Sequence, residues 1–113
     1  METQAARELI DFINESPTNF HAILNLKKHL LENGFKQLFS GESWQIERGK
    51  KYFVTKNHSS LYAFIPGTGD IAENGFKLIC AHSDSPTFRI KPHAEIPVEG
   101  KYLKLNTEVY GGP

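Results

Sequence analysis

The chain has 113 residues, 39% of them hydrophobic and 23% charged, and its 13 basic and 13 acidic residues give a formal net charge of zero. This length allows one small domain with a modest core. The composition is that of a folded chain and excludes a disordered one. The balanced charge excludes the basic surface expected of a protein that binds nucleic acid or an anionic membrane.

The cysteine content and the N-terminal residues predict the cellular compartment in which the protein is found. The single cysteine, Cys80, cannot form a disulfide within the chain, which indicates a reducing environment. Met1-Glu2-Thr3-Gln4 has neither the positive charge nor the apolar run of a signal peptide. No stretch approaches the roughly 18 apolar residues of a membrane-spanning helix. We therefore expect a soluble protein of the cytoplasm.

The first third of the chain is predicted to form two helices. Between residues 5 and 13, apolar side chains recur at spacings of three and four, as in an amphipathic helix. Ser16-Pro17 ends this helix, because the residue before proline avoids the helical region. A second helix is expected over residues 20–31, with Thr18 or Asn19 as its N-cap.

The middle of the chain is predicted to be rich in β-strands. Residues 51–56 and 60–65 are β-prone and are separated by the turn-like Asn57-His58-Ser59, which predicts a hairpin. Residues 76–81 form a short apolar run of the kind found in buried central strands. Cys80 within this run is expected to pack as a small hydrophobic side chain.

The last part of the chain alternates between apolar and polar residues. This pattern predicts strands at residues 87–91 and 102–109, with Pro92 and Pro97 breaking the chain between them. Two helices followed by strands predict an α/β or α+β domain. Because residues 110–113 follow directly on a strand with no closing helix, we expect the chain to be a truncated part of a longer fold.

A histidine and an aspartate, His82 and Asp84, directly follow the predicted buried strand. Ligands and catalytic groups gather at the carboxyl ends of strands in α/β sheets. A spacing of two lets both side chains project the same way from an extended backbone. An imidazole can then bind a divalent metal while a carboxylate accepts a hydrogen bond from its other ring nitrogen. Taken alone, such a pair is more often structural, because a zinc site needs three or four ligands.

Stretches spread over nearly the whole chain carry a more specific signal. They are Phe12–His21, Gly34-Phe35, Trp44, Gly49–Val54, Asn57, Ser59-Ser60, Ala81–Pro86 and Val109–Pro113. In order and spacing, they resemble the aspartyl aminopeptidase family of dinuclear metallopeptidases. Ser83 stands where that family commonly has threonine, and Asn19 where it often has serine or proline. Neither difference removes a group that the chemistry needs.

The resemblance implies a zinc-dependent aminopeptidase that removes N-terminal residues, possibly acidic ones, from peptides. Two divalent metals, usually zinc, would activate the attacking water. The resemblance implies that His82 is a ligand of one metal and that Asp84 is the catalytic-site aspartate that orients His82. In the family, the remaining ligands and the general base follow Gly-Gly-Pro, so we expect this chain to be inactive alone.

The resemblance also implies an architecture. The chain would be the N-terminal part of a zinc-aminopeptidase (phosphorylase/hydrolase-like) α/β domain, with two helices and then a mainly β segment that runs into an inserted dimerisation domain. Residues 1–91 would belong to the catalytic domain and residues 92–113 to the start of the inserted domain. Because the family forms dodecamers, we expect the full-length protein to be a homo-oligomer that binds peptides and neither nucleic acid nor membranes.

Two alternatives remain open at this point. The chain could come from a related two-metal carboxypeptidase or deacetylase, or it could be a non-catalytic binding or assembly fragment. The other histidines are not expected to be metal ligands. His21 is expected to pack or cap at the start of the second helix, while His29, His58 and His93 are expected to lie at the surface.

Overall fold

The computed structural model describes residues 3–112, which form three helices and five strands. These residues fall into two compact units, and the division lies between Ser83 and Asp84. The first unit contains α1 (Gln4–Asn14), α2 (Asn19–Glu32), β1 (Lys36–Leu38), β2 (Tyr52–Lys56), β3 (Ser60–Phe64) and α3 (Ile71–Asn74), and the second contains β4 (Thr87–Val98) and β5 (Tyr102–Tyr110). Two helices followed by a mainly β segment confirm the predicted order. None of the helices in residues 3–112 is long and apolar enough to cross a membrane.

Both predicted N-terminal helices are present, and a threonine caps the second. Thr18 has an extended backbone, and its Oγ1 accepts a hydrogen bond from the backbone N–H of His21 at 3.4 Å. This satisfies one of the donors that the first turn of a helix leaves unpaired. Asn25 of α2 donates to the backbone oxygen of Glu15 at 2.9 Å and so ties α2 to the end of α1.

The predicted hairpin is confirmed as β2 and β3, which pair antiparallel from Tyr52 opposite Phe64 to Lys56 opposite Ser60. Asn57 and His58 in the three-residue turn both have positive φ, a backbone conformation that asparagine and histidine adopt more readily than most residues. The sheet has one strand that the sequence pattern did not predict. This strand, β1, pairs parallel with β2.

The core of the first unit lies between α2 and this sheet. Its most completely buried side chain is Phe53, which has no exposed surface. Tyr52, the preceding residue on β2, is also buried, and its hydroxyl accepts a hydrogen bond from the backbone N–H of Glu47 at 3.0 Å. Because consecutive strand residues point to opposite faces, both faces of β2 are covered at this position. The other buried residues of this unit are Ala22, Ile23 and Leu38.

The prediction of a buried strand at residues 76–81 is wrong. No described residue pairs with this segment in a sheet, and Phe76, Leu78 and Ile79 are 81%, 73% and 98% exposed. Cys80 is also exposed, so the expectation that it packs as a buried hydrophobic residue is wrong as well. A strand requires a hydrogen-bonded neighbour, and neither sheet of the described chain places one beside this run.

The second unit is a long hairpin. β4 and β5 pair antiparallel from Thr87 opposite Tyr110 to Val98 opposite Tyr102. The predicted breaks at the prolines are wrong, since β4 continues through both of them. The register shifts between Ile90 and Glu95, and this irregularity accommodates Pro92, which cannot donate to the ladder.

Some predictions concern parts of the fold that the described residues do not test. The proposed domain boundary between residues 91 and 92 belongs to the architecture of a longer protein and stays a prediction. Met1, Glu2 and Pro113 contribute to the predicted terminal features and lie outside the described residues.

Candidate metal centre

The histidine–aspartate segment, Ala81–Pro86, is irregular and leads into β4. Within the first unit, Ser83 donates a hydrogen bond from Oγ to the backbone oxygen of Ser59, at 3.1 Å. Ser59 belongs to the turn of the β2–β3 hairpin, so this bond anchors the segment to the sheet next to His82. The His82 side chain is exposed, which leaves its imidazole accessible to solvent.

Asp84 belongs to the second unit, where a tyrosine contacts its carboxylate. The hydroxyl of Tyr110 donates to Oδ2 of Asp84 at 2.7 Å, a short distance typical of a hydrogen bond to an ionised oxygen. Both side chains are half-buried. The hairpin brings them together, because Tyr110 pairs with Thr87, three residues beyond Asp84.

An arginine from the same hairpin contacts the tyrosine ring. The guanidinium carbon of Arg89 lies 3.3 Å from the ring centroid of Tyr110, a close cation–π contact. The hydrogen bond to Asp84, followed by the negative charge of Asp84, raises the pKa of Tyr110 above its ordinary value, and Arg89 opposes this shift. Tyr110 therefore keeps its proton at neutral pH and acts as a hydrogen-bond donor.

A glycine lets the two ends of the hairpin approach closely. Gly111 has a φ of +101°, and a Cβ at this position would lie 2.9 Å from Cα of Pro86. A side chain would therefore meet backbone rather than the flexible end of another side chain. This close approach holds the backbone around Tyr110 next to the segment that carries Asp84.

The remaining histidines of the described chain have other roles. Nδ1 of His21 lies 2.8 Å from Oγ1 of Thr18, which confirms the prediction that His21 belongs to the helix cap. His29, His58 and His93 are exposed, as predicted. Across residues 3–112, no three His, Cys, Asp or Glu side chains lie close enough together to hold a metal ion.

The described residues therefore supply a suitable ligand for zinc but only part of a complete zinc site. An imidazole is a suitable zinc ligand, and His82 presents one in an accessible position. The sequence pattern points to His82 and Asp84 but not to Tyr110. The signal that could have pointed to Tyr110 is its place in the matched stretch Val109–Pro113, although that stretch does not show which residue the tyrosine contacts.

Known proteins resemble the chain over nearly its whole length. The family model of aminopeptidase I zinc metalloproteases (M18) matches residues 12–113. The chain is 58% identical over 108 residues to a probable M18 family aminopeptidase 2 of Clostridium novyi, covering 96% of this chain and 25% of that relative. It is 45% identical over 109 residues to aspartyl aminopeptidase 1 of Schizosaccharomyces pombe, covering 95% of this chain and 23% of that protein. The chain thus spans about a quarter of the length of the curated relatives it matches.

Solved structures agree with the sequence comparison. The S. cerevisiae mApe1 dodecamer superposes with a TM-score of 0.87 at 32% identity, covering 96% of this chain and 26% of that one. Chaetomium thermophilum mApe1 superposes with a TM-score of 0.84 at 35% identity, covering 92% of this chain and 24% of that one. The predicted fold class, the N-terminal part of an aminopeptidase domain, is confirmed. The chain belongs to the M18 family of aminopeptidase I zinc metalloproteases.

Proposed function

We propose that the full-length protein containing this chain is a zinc-dependent aminopeptidase. The observation that carries the proposal is the family match over residues 12–113, which includes the histidine–aspartate segment intact. The relatives named above are aminopeptidases by their own descriptions, and none of them is a carboxypeptidase or a deacetylase. This favours the aminopeptidase over the related two-metal hydrolases.

Two residues of this chain have proposed roles at the active site. His82 binds one catalytic zinc through one ring nitrogen, and Asp84 accepts a hydrogen bond from the other ring nitrogen. Such a bond fixes the tautomer of the imidazole and increases its basicity as a ligand. Zinc bound in a site of this type lowers the pKa of coordinated water to about 7 and polarises a carbonyl. We assign the other ligands, a second divalent metal and the general base to the rest of the full-length protein.

The proposed substrate is a peptide with a free N-terminus, and acidic N-terminal residues are the preferred class. The S. pombe relative is an aspartyl aminopeptidase, which supports this preference. The S. cerevisiae relative is a dodecamer, which supports a homo-oligomer for the full-length protein. The lone cysteine supports a cytoplasmic location. Residues 92–113 are proposed as the start of an inserted dimerisation domain.

The activity is tested with the purified full-length protein and a set of chromogenic substrates. Aspartyl, glutamyl and leucyl p-nitroanilides measure aminopeptidase activity and its preference for acidic residues. N-acetyl-aspartate measures deacetylase activity, and an N-blocked dipeptide with a free carboxylate measures carboxypeptidase activity. We expect hydrolysis of the free-amine anilides, its loss on chelation and its return with zinc. Hydrolysis of only the N-blocked substrates would refute the aminopeptidase assignment.

The role of His82 is tested by substitution. His82→Ala should lower kcat/KM by more than about 100-fold, since loss of a metal ligand should exceed the ten- to hundredfold cost of losing an outer-shell partner. His29→Ala, which removes an exposed imidazole from α2, is the matched control and should leave kcat/KM unchanged. If the two substitutions have equal effects on kcat/KM, the proposal that His82 is a metal ligand is wrong.

A calorimetric titration tests whether this chain holds zinc alone. A catalytic zinc site uses three protein ligands, and His82 is the one ligand proposed here. We therefore expect the 113-residue chain to bind zinc more weakly than the micromolar range. Sub-micromolar binding that is lost in His82→Ala would show that the chain contains a complete site.

A further inference from the structure

A tyrosine that lies 26 residues after Asp84 contacts this aspartate of the histidine–aspartate segment. The hydrogen bond from Tyr110 to Oδ2 of Asp84 measures 2.7 Å, and it joins the last residue of β5 to the chain that precedes β4. A neutral donor bonded to an ionised acceptor at this distance forms a stronger hydrogen bond than two neutral groups do. The contact engages one oxygen of the carboxylate and restricts its rotation about the Cβ–Cγ bond.

The position of Tyr110 is itself determined by two backbone features. Tyr110 pairs with Thr87 at the open end of the hairpin, so the antiparallel ladder sets its place along the strand. Directly after it, Gly111 approaches Pro86 so closely that any Cβ would lie 2.9 Å from the Cα of Pro86. The strand pairing and this close approach therefore hold the backbone on both sides of the hydrogen bond.

Arg89 holds the ring of Tyr110 in place. Arg89 pairs with Glu108, and residues two apart on a strand share a face, so Arg89 lies diagonally across from Tyr110. Its guanidinium carbon is 3.3 Å from the ring centroid. The arginine covers the ring while the hydroxyl at the ring's edge reaches Asp84. Arg89, Tyr110 and Asp84 thus form a connected chain of contacts within the second unit.

We propose that Tyr110 is a positioning residue for the metal centre: its hydroxyl holds Oδ2 of Asp84 and so sets the orientation in which Asp84 supports the zinc ligand. The inference rests on the proposed function, because it takes Asp84 to act on His82. It goes further in assigning a role to a tyrosine that lies outside the histidine–aspartate segment. Arg89 contributes by restricting the ring.

The physical basis is the geometry that a carboxylate–imidazole hydrogen bond requires. A carboxylate that rotates freely presents its second oxygen to the imidazole only part of the time. Fixing one oxygen reduces the entropy that must be lost when the other oxygen forms its bond, which is the general advantage of a preorganised site. Removing the hydroxyl of Tyr110 should therefore weaken zinc binding indirectly, through Asp84.

The test uses the full-length protein and compares single-atom changes. Tyr110→Phe removes the hydroxyl and keeps the ring under Arg89. Tyr102→Phe makes the same change at an exposed tyrosine at the other end of β5 and is the matched control. Asp84→Asn and the Tyr110→Phe/Asp84→Asn double variant complete a double-mutant cycle. The measurements are the zinc dissociation constant, by competition with a chromogenic chelator, and the kcat and KM of the zinc-saturated enzyme.

We expect Asp84→Asn to weaken zinc binding by about 10- to 100-fold and Tyr110→Phe by about tenfold, as partners in the outer shell of a metal site do. Tyr102→Phe should leave the constant unchanged. In the Asp84→Asn background, Tyr110→Phe should have little further effect, because the neutral amide that Tyr110 then holds no longer provides the carboxylate that supports the zinc ligand. We also expect kcat to fall in Tyr110→Phe while KM for the peptide changes little.

Several results would overturn the inference while the proposed function stands. One is an equal effect of Tyr110→Phe and Tyr102→Phe on zinc binding. Another is a full additional loss from Tyr110→Phe in the Asp84→Asn background. A third is a lowered thermal midpoint of the zinc-free protein with an unchanged zinc constant, which would make Tyr110 purely structural. If His82→Ala leaves both zinc binding and hydrolysis intact, the proposed role of His82 fails and the premise of this inference fails with it. The aminopeptidase assignment itself fails only if the free-amine anilides are not hydrolysed.

Discussion

Gly111→Ala tests the close approach at the open end of the β4–β5 hairpin. Gly111 has a φ of +101°, where an L-residue is strained by about 1–3 kcal/mol. The added methyl would also lie 2.9 Å from Cα of Pro86, and forcing a carbon into occupied space costs about 1–3 kcal/mol more. We therefore expect the free energy of opening the hairpin to fall by about 3 kcal/mol.

Hydrogen exchange of the full-length protein, read by mass spectrometry on peptides from β4 and β5, measures this opening free energy. A loss of about 3 kcal/mol corresponds to exchange roughly 150-fold faster, at about 1.4 kcal/mol for each factor of ten. Gly100→Ala is the matched control, because Gly100 lies in the turn of the same hairpin with a φ of +64° and has nothing within 4 Å of an added Cβ. Only the backbone strain applies there, about 1 kcal/mol, or roughly fivefold faster exchange.

The difference between the two glycines reports the contact with Pro86 together with the additional strain of a φ of +101° over one of +64°. If Gly111→Ala and Gly100→Ala accelerate exchange equally, the close approach does not contribute and the reasoning is wrong. Gly111→Ala should also weaken zinc binding of the full-length protein, because Pro86 must move and it lies two residues from Asp84. If hydrogen exchange is accelerated but zinc binding is unchanged, the conformation of the hairpin does not affect the metal centre.

Three further predictions address the core, a helix cap and a titration. Phe53→Ala should lower the free energy of unfolding by about 3–5 kcal/mol in denaturant titrations, because it empties a fully buried position. Phe88 is 71% exposed, so Phe88→Ala should change this free energy by less than about 0.5 kcal/mol. Similar losses in the two variants would contradict the placement of Phe53 in the core. In the same titration, Thr18→Ala should lower the free energy of unfolding by about 1 kcal/mol and Thr18→Ser by much less. Equal losses in the two variants would mean that the side-chain oxygen does not cap α2. The raised pKa of Tyr110 means that the stabilisation from its hydrogen bond is complete below a pH of about 10 and is lost as pH rises through the raised pKa. The difference in ultraviolet phenolate absorbance between the wild type and Tyr110→Phe should therefore show that Tyr110 ionises above the ordinary tyrosine pKa of 10.0, and ionisation below that pH would refute the shift.

The local parts of the fold could be predicted from the sequence. Spacings of three and four before Ser16-Pro17 predicted α1, and the change to a β-prone pattern around Asn57-His58 predicted the β2–β3 hairpin. Both signals arise between neighbouring residues, where periodicity and turn preferences apply. β1 has only three residues and pairs parallel with a strand that begins 14 residues after its last residue, Leu38, so no local pattern indicates it.

The wrong predictions concern structure that depends on contacts between residues far apart in the sequence. The apolar run at residues 76–81 has the composition of a buried strand, but composition does not supply a neighbouring strand. Pro92 is unfavourable in a regular ladder, and a register shift that β5 permits lets β4 continue past it. At the candidate site, spacing pointed to His82 and Asp84, which are neighbours in the sequence. Tyr110 lies 26 residues away from Asp84, so only the fold brings the two together.

The exposed run at residues 76–81 also affects how the isolated chain should behave in solution. It presents a series of apolar side chains and backbone hydrogen-bonding groups outside any sheet of the described chain. An uncovered β-prone stretch of six residues without proline is a template onto which another copy can add and begin aggregation. Light scattering of the isolated chain should therefore rise steeply with concentration. Leu78→Lys, a gatekeeper charge at the centre of the run, should suppress that rise.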